Sequence, residues 1–171
     1  MSNLKEDEGQ IYVACLASYN AGRLHGEFIT PADTVKKLWA QIGKILKSSP
    51  EPNAEEWAIH DYNNFPDLGE YPSVENIIKV RKAQKEHGIN PINAFLEHYT
   101  TDDLEHFEDS YSGEYDSFRE YSDQLFDELY LHDVPKHIIP YIDYGAFEND
   151  TKLDTTEVKA PNYKVYIFRQ F

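Results

Sequence analysis

The N-terminal part of the chain alternates apolar runs with turn signals, a pattern typical of a small sheet. Residues 11–19 (IYVACLASY) and 23–29 (RLHGEFI) are apolar and β-prone, and residues 20–22 (NAG) favour a turn, so together they predict a hairpin. Residues 35–46 place apolar side chains at helical spacing, and residues 55–62 (EEWAIHDY) predict a third strand. We therefore expect a three-stranded sheet covered by one helix.

Capping residues set the expected helix boundaries. Thr30 is expected to be the N-cap of the first helix, with Pro31 at its first position. Ser73 is expected to cap a second helix, which ends before Gly88. Another helix is expected to open at residues 90–91, so the middle of the chain is predicted to be helical.

The clearest helical pattern lies in the C-terminal part, at residues 114–130. At 100° per residue its apolar side chains fall on one side and its acidic side chains on the other. Residues 141–149 are expected to form a short helix or an irregular element, and residues 156–160 and 163–171 two strands. The expected fold class is α+β.

We expect an elongated chain of small domains. The N-terminal sheet and its helix end where residues 63–72 become rich in Pro, Gly, Asn and Asp. The expected domains are residues 1–70 (sheet and helix), 71–105 (helical) and 106–171 (acidic, α+β, with terminal strands).

Charge is distributed unevenly along the chain. The 171 residues include 31 acidic and 16 basic ones, a formal net charge of −15. Residues 97–157 hold 18 of the acidic residues and three of the basic ones, so this segment carries the whole net charge. Such a segment repels nucleic acid and attracts basic surfaces, although a solvated face is the more common use of the pattern. Its many aromatic residues argue against a disordered acidic tail.

Four carboxylates of the predicted acidic helix recur at a regular spacing. Asp116, Glu120, Asp123 and Asp127 follow one another after four, three and four residues, which is about 5.5 Å apart on average along a helix axis. Duplex DNA carries a phosphate about every 3.4 Å per strand, so one helix imitates it coarsely unless nearby acids or a second copy fill the gaps. The predicted partner-binding surface comprises Asp102, Asp103, Glu105, Glu108, Asp109, Glu114, Asp116, Glu120, Asp123, Asp127, Glu128, Asp133, Glu148 and Asp150.

Motifs for common enzyme chemistry do not occur. The chain has no Gly-rich phosphate loop, no G-x-S-x-G and no H-E-x-x-H, and its histidines lack a convincing metal-ligand spacing. His60 and Asp61 suggest a metal-dependent hydrolase only weakly, because neighbouring residues of a strand face opposite sides of the sheet. Cys15 lies in an apolar strand and is expected to be a buried core residue. We expect no cofactor and no metal.

Five segments form a recognisable pattern across nearly the whole chain. They are residues 11–29, 55–62, 68–71 (LGEY), 113–129 (GEYDSFREYSDQLFDEL) and 141–151 (YIDYGAFENDT). In the order and spacing of these segments and in total length, the chain resembles the ArdA family of antirestriction proteins.

The resemblance implies a multi-domain α+β protein that is not an enzyme and mimics bent B-form DNA. Such a protein dimerises through its C-terminal region and is carried largely by mobile elements and phage. It occupies the DNA-binding groove of Type I restriction-modification enzymes, which their methyltransferase and specificity subunits form, and binds no nucleic acid itself. The resemblance places the antirestriction segment at residues 113–129.

The residues also predict where the protein is located and leave two alternative functions open. The polar N-terminus is unlike a signal peptide, and no run of 18 apolar residues occurs, so we expect a cytoplasmic protein without a membrane span. Two other functions fit the residues: an acidic interaction module for another basic DNA-binding protein, and a small hydrolase built on His60 and Asp61. The resemblance gives no role to the basic cluster Lys79, Arg81, Lys82 and Lys85.

Overall fold

The computed structural model describes residues 8–171 and groups them in two compact units. The first unit ends at Leu104, and the second comprises Glu105–Phe171. Each unit contains a three-stranded antiparallel sheet together with helices. The predicted α+β fold class is confirmed, while the division into domains 1–70, 71–105 and 106–171 stays a prediction.

The first sheet consists of β1 (Gln10–Cys15), β2 (Gly26–Ile29) and β3 (Trp57–Asn63). Its order is β2-β1-β3, with both pairs antiparallel. Because β1 is the central strand, its side chains are almost all buried, among them Ile11 and Val13. The predicted three-stranded N-terminal sheet is confirmed.

The apolar run after β1 is helical, so the prediction of a strand through residue 19 is wrong. Leu16–Asn20 form the short helix α1. Short apolar runs fit either a strand or a helix, and tertiary contacts decide between them. Here a buried contact supports the helical turn, because the Ser18 hydroxyl lies 2.8 Å from the Ser49 hydroxyl in the loop before β3.

Helix α2 (Val35–Lys47) packs against β1 and β2. Its N-cap is Thr34, whose hydroxyl oxygen accepts a hydrogen bond of 3.3 Å from the Lys37 amide. The predicted start at Thr30 and Pro31 is therefore wrong: a second hydroxyl residue four positions later caps the helix instead. The side chains that α2 buries are Leu38, Ile42 and Ile45.

Two helices complete the first unit. Helix α3 (Val74–His87) begins as predicted, with the Ser73 hydroxyl accepting a hydrogen bond of 3.1 Å from the Asn76 amide. It ends at Gly88, whose φ of 95° is a conformation that favours glycine. Helix α4 (Ile89–Phe95) follows directly and packs against α3.

The second unit is built on strands β4 (Tyr111–Tyr115), β5 (Thr155–Lys159) and β6 (Val165–Arg169), in the order β4-β6-β5. Strands β5 and β6 agree with the two predicted terminal strands. The short helix α5 (Phe107–Ser110) leads into β4. Strand β4 was not predicted, because its sequence, YSGEY, lies at the edge of the helical pattern.

The acidic helix α6 (Phe118–Leu129) is shorter than residues 114–130. Pairing of β4 with β6 holds the preceding residues in extended conformation, and Ser117, with φ −162° and ψ 163°, is the N-cap. Helix α7 (Tyr144–Thr151) follows the N-cap Asp143 and packs against α6. The core beneath α6 consists of Phe118, Tyr121 and Ile167, with Tyr115, Leu125 and Val165 around it.

Candidate partner-binding surface

Helix α6 turns three carboxylates away from the core. It buries Phe118 and Tyr121, and Glu120, Asp123 and Asp127 lie on the opposite side of the helix by its 100° periodicity. Their spacing of three and four residues places them about 4.5 and 6 Å apart along the axis. The predicted acidic face thus begins at Glu120.

Asp116 does not belong to this helical row, contrary to prediction. It lies before the N-cap, in the turn between β4 and α6. The prediction failed because it extended the helix over residues that pair with β6.

The start of α6 is held by a reciprocal pair of hydrogen bonds. The Ser117 hydroxyl oxygen accepts from the Glu120 amide at 3.1 Å, and the Glu120 carboxylate accepts from the Asp116 amide at 2.7 Å. The first bond satisfies a backbone donor that the first helical turn leaves without a partner, and the second fixes the residue before the N-cap. Glu120 therefore has a structural role besides its charge. The S-x-x-E signal at residues 117–120 could have located this cap from the sequence.

Arg119 and Lys152 compensate two carboxylates of the predicted surface. Arg119 Nε lies 2.7 Å from Asp123 Oδ1, and its Nη1 lies 3.3 Å from Glu148 Oε2. Lys152 Nζ lies 2.6 Å from Glu148 Oε1. The hydrogen bond from Lys152, followed by that from Arg119, holds the pKa of Glu148 below its usual value. The hydrogen bond to Asp123 raises the pKa of Arg119.

A third cation, Lys164, compensates the acids around β4. Lys164 Nζ lies 3.2 Å from Glu114 Oε1 and 3.5 Å from Asp116 Oδ1. The hydrogen bond to Glu114 raises the pKa of Lys164. These pairs could not be read from the sequence, because Lys164 is remote from both acids along the chain.

Four exposed carboxylates of the predicted surface, around α6 and α7, have no such compensation. No lysine or arginine within residues 8–171 forms an ion pair with them. The Asp127 carboxylate accepts a hydrogen bond of 2.7 Å from the Tyr144 hydroxyl, which raises the pKa of Tyr144. Asp133 lies 3.2 Å from His132 Nε2, a partner that is cationic only when protonated. These α6–α7 carboxylates are Asp127, Glu128, Asp133 and Asp150.

Aromatic packing positions α7 on α6. The ring centroid of Phe126 in α6 lies 5.1 Å from the centroids of both Tyr144 and Phe147 in α7. The ring centroid of Tyr130 lies 6.0 Å from that of Phe147. Because aromatic pairs of this geometry restrict the approach of two helices, the cluster sets where Asp150 lies relative to α6.

The other predicted acids belong to other elements. In the second unit, Glu105, Glu108 and Asp109 are exposed on or beside α5. In the first unit, Asp102 pairs with Lys79 at 2.7 Å. Asp103 there accepts hydrogen bonds of 2.8 Å from the amide and the hydroxyl of Thr100.

An apolar groove adjoins the acidic helix in the second unit. It has a volume of about 510 Å³. It is lined by residues of α6 and α7, including Leu125, Leu129 and Phe147, and by residues at the start of β5 and at the end of β6. Leu129 is 51% exposed and Leu153 74% exposed. Exposed apolar side chains that line a groove, as Leu129 does, are candidates for a contact site. The sequence pattern did not indicate the groove.

His60 and Asp61 lie at an irregularity of β3. The register with β1 shifts there, so that Tyr12 is opposite Asp61 and Val13 opposite Ile59. Both residues line one depression of about 440 Å³, as do their neighbours Ile59 and Tyr62. The expectation that the two side chains face opposite sides of the sheet stays a prediction. The His60 ring packs on Tyr19, with 4.9 Å between centroids, and the Asp61 carboxylate accepts a hydrogen bond from the Tyr62 amide. Both side chains thus have structural partners.

The basic cluster of α3 is used within the first unit. Lys79 pairs with Asp102, and Lys85 pairs with Asp33. The buried Arg81 has its Nη2 3.1 Å from Glu8 Oε2. Three of the four cations therefore tie α3 to neighbouring segments, which accounts for a cluster that the sequence left without a role. Cys15 is buried, as expected, and its thiol donates to the Ser49 hydroxyl at 3.4 Å.

The fold and this surface define a small, strongly acidic α+β protein whose second unit exposes uncompensated carboxylates beside an apolar groove. Among residues 8–171, no helix has the length and apolar character that crossing a bilayer requires. The model of the antirestriction protein ArdA family matches residues 11–163. The chain therefore belongs to the ArdA antirestriction protein family, as the sequence resemblance indicated. A comparison with curated proteins gave no match.

Proposed function

We propose that this protein inhibits Type I restriction-modification enzymes by occupying, in place of DNA, the groove between their methyltransferase and specificity subunits. Membership of an antirestriction family supports the class of target. The single observation that carries the mode of inhibition is the set of α6–α7 carboxylates, Asp127, Glu128, Asp133 and Asp150, which no lysine or arginine among residues 8–171 compensates. In this proposal the protein is not an enzyme, acts in the cytoplasm and derives from a mobile genetic element.

The physical basis is that a carboxylate can replace a phosphate in a basic groove. Both groups are anionic and accept charge-assisted hydrogen bonds from arginine and lysine. The acids of α6 recur about every 4.5 to 6 Å along its axis, whereas phosphates recur about every 3.4 Å per strand. The α7 carboxylate Asp150, held beside α6 by the aromatic cluster, adds charge that one helix lacks. The same charge keeps the protein from binding nucleic acid.

We also propose that two copies associate through the apolar groove of the second unit. Leu129 lines this groove, and Leu153, Tyr141 and Phe171 in the same unit are also strongly exposed. Covering such side chains is favourable in proportion to the apolar area removed from water. A symmetric dimer would double the number of carboxylates offered to the enzyme.

A competition titration tests the proposed inhibition. Increasing amounts of the protein are added to a purified Type I methyltransferase bound to labelled DNA that contains its recognition site. We expect the DNA to be released. In a direct titration without DNA, we expect the affinity of the protein for the methyltransferase to fall as salt is raised, because screening weakens attraction between charged surfaces. If saturating protein leaves the enzyme–DNA complex intact, this target is wrong.

The same charge distribution favours one second candidate, an acidic module for another basic DNA-binding protein. Uncompensated carboxylates attract a basic surface whatever enzyme bears it. Parallel titrations with a purified basic nucleoid protein distinguish the two: release of DNA from the nucleoid protein but not from the methyltransferase would favour this second function.

A further inference from the structure

Helix α2 carries the only lysine-rich face that the described part of the first unit leaves without acidic partners. Lys36, Lys37, Lys44 and Lys47 are all exposed, and none forms an ion pair with a carboxylate within residues 8–171. The nearest acidic influence is on Lys37, whose charge helps to lower the pKa of Asp33 after the larger effect of Lys85. Arg23, Lys79, Arg81 and Lys85 of the same unit each form an ion pair. The four lysines of α2 therefore differ from these other cations in forming no ion pair.

The position of these lysines along α2 is only partly explained by helix stability. Lys44 and Lys47 lie in the last turn, where cations interact favourably with the helix dipole. Lys36 and Lys37 lie in the first turn, which contains no acid and where a cation is unfavourable. Helix stability therefore does not account for two of the four lysines, and an anionic partner would.

An apolar trough runs along the same face. Trp39, Ala40 and Gly43 line it, with Lys44 and Lys47 at its rim, and its volume is about 560 Å³. A Cβ added at Gly43 would meet no atom within 4 Å, so the space above this glycine is open. Trp39 is 49% exposed, and its ring is held edge-on against Trp57 with 6.0 Å between centroids. The trough can therefore receive an apolar side chain between cations.

We propose that this α2 surface binds an acidic segment of a partner polypeptide, with an apolar side chain of that segment in the trough over Gly43. Charge complementarity selects an anionic occupant, and the trough selects one that also carries an apolar group. Nucleic acids and anionic membranes are extended polyanions, and the acidic residues of this chain repel those parts of them that come within about a Debye length. A short acidic segment carries little charge beyond the contact and avoids that repulsion. The proposal uses none of the carboxylates of the proposed inhibition.

Binding of a designed peptide to the full chain tests the proposal. The probe is a short fluorescein-labelled peptide of glutamates with one central leucine, and the control is the same peptide with glutamines. We expect saturable binding of the acidic peptide alone. In a Trp57→Phe background, emission from Trp39, the other of the two tryptophans, should shift as the trough is filled.

Two variants with a matched control separate local from overall charge. Lys44→Gln with Lys47→Gln should weaken binding about fivefold, as expected for two exposed ion pairs. The control, Lys136→Gln with Lys159→Gln, removes the same charge from two exposed lysines of the second unit and should change binding less than about twofold. Gly43→Leu adds a side chain at a position where a Cβ meets no atom within 4 Å, and by occupying the trough it should weaken binding about tenfold.

Three results would overturn the proposal. One is equal binding of the acidic and the glutamine peptide. Another is an equal loss of affinity in the α2 variant and in its Lys136 and Lys159 control. The third is tighter binding of a DNA oligonucleotide or of phosphatidylserine vesicles than of the acidic peptide, which would assign the α2 face to phosphate groups instead.

Discussion

Neutralising the α6–α7 carboxylates is the perturbation that bears most directly on the proposed inhibition. The variant replaces each of the four by its amide: Asp127→Asn, Glu128→Gln, Asp133→Asn and Asp150→Asn. All four are exposed, and none forms an ion pair with a lysine or arginine among the described residues, so the substitutions remove no such pair from the fold. After Asp127→Asn, the side-chain amide oxygen can still accept the hydrogen bond from Tyr144.

The magnitude follows from the exposure of these groups. An ion pair between exposed side chains is worth about 0.2–1 kcal/mol, so four pairs with a basic groove contribute about 2 kcal/mol if each contributes about 0.5 kcal/mol. At about 1.4 kcal/mol per tenfold change in affinity, the variant should bind the methyltransferase about 30-fold more weakly.

The decisive control changes net charge by the same amount elsewhere. Glu27, Glu55, Glu56 and Glu70 are exposed acids of the first unit outside the predicted surface, and each is replaced by glutamine. Affinities of both variants are measured in the DNA competition titration at one salt concentration, after circular dichroism has shown that both are folded. We expect the control to lose less than about threefold in affinity, because salt weakens the effect of exposed charges that make no contact with the partner. Equal losses would show that net charge alone matters and refute the assigned surface.

Two further predictions concern the fold that presents the surface. Ser117→Ala removes the hydroxyl that caps α6 and should lower the free energy of unfolding by about 1 kcal/mol in urea titrations, whereas Ser117→Asp should not; identical midpoints would contradict this role. Burial raises the pKa of Tyr62 and of Tyr166 from 10.0 to about 12. The folded state favours the neutral phenols, so these tyrosines add to the free energy of unfolding. This contribution is complete below about pH 10 and is lost as the pH rises towards about 12. Phenylalanine at both positions should flatten that alkaline loss of stability, and an unchanged pH profile would exclude these tyrosines as its cause.

Local sequence signals predicted the structure correctly where one segment contains both the residue that starts a helix and the residue that ends it. Ser73 and Gly88 bound α3 as predicted, since a hydroxyl cap and a glycine with positive φ act within one helical turn. The three strands of the first sheet were likewise predicted from apolar runs and turn residues. Prediction failed at residues 16–20 and at β4, where a contact with Ser49 and pairing with β6 override local preference.

The sequence by itself determined the α+β class, the family resemblance and the concentration of negative charge in residues 97–157, because composition, apolar spacing and motif order are properties of the linear chain. Only the tertiary structure decided which carboxylates remain uncompensated. Arg119 reaches Glu148, 29 residues away, and Lys164 reaches Glu114 across the paired strands. Ion pairing depends on distances of a few ångströms in space, and a sequence specifies such distances only through the fold.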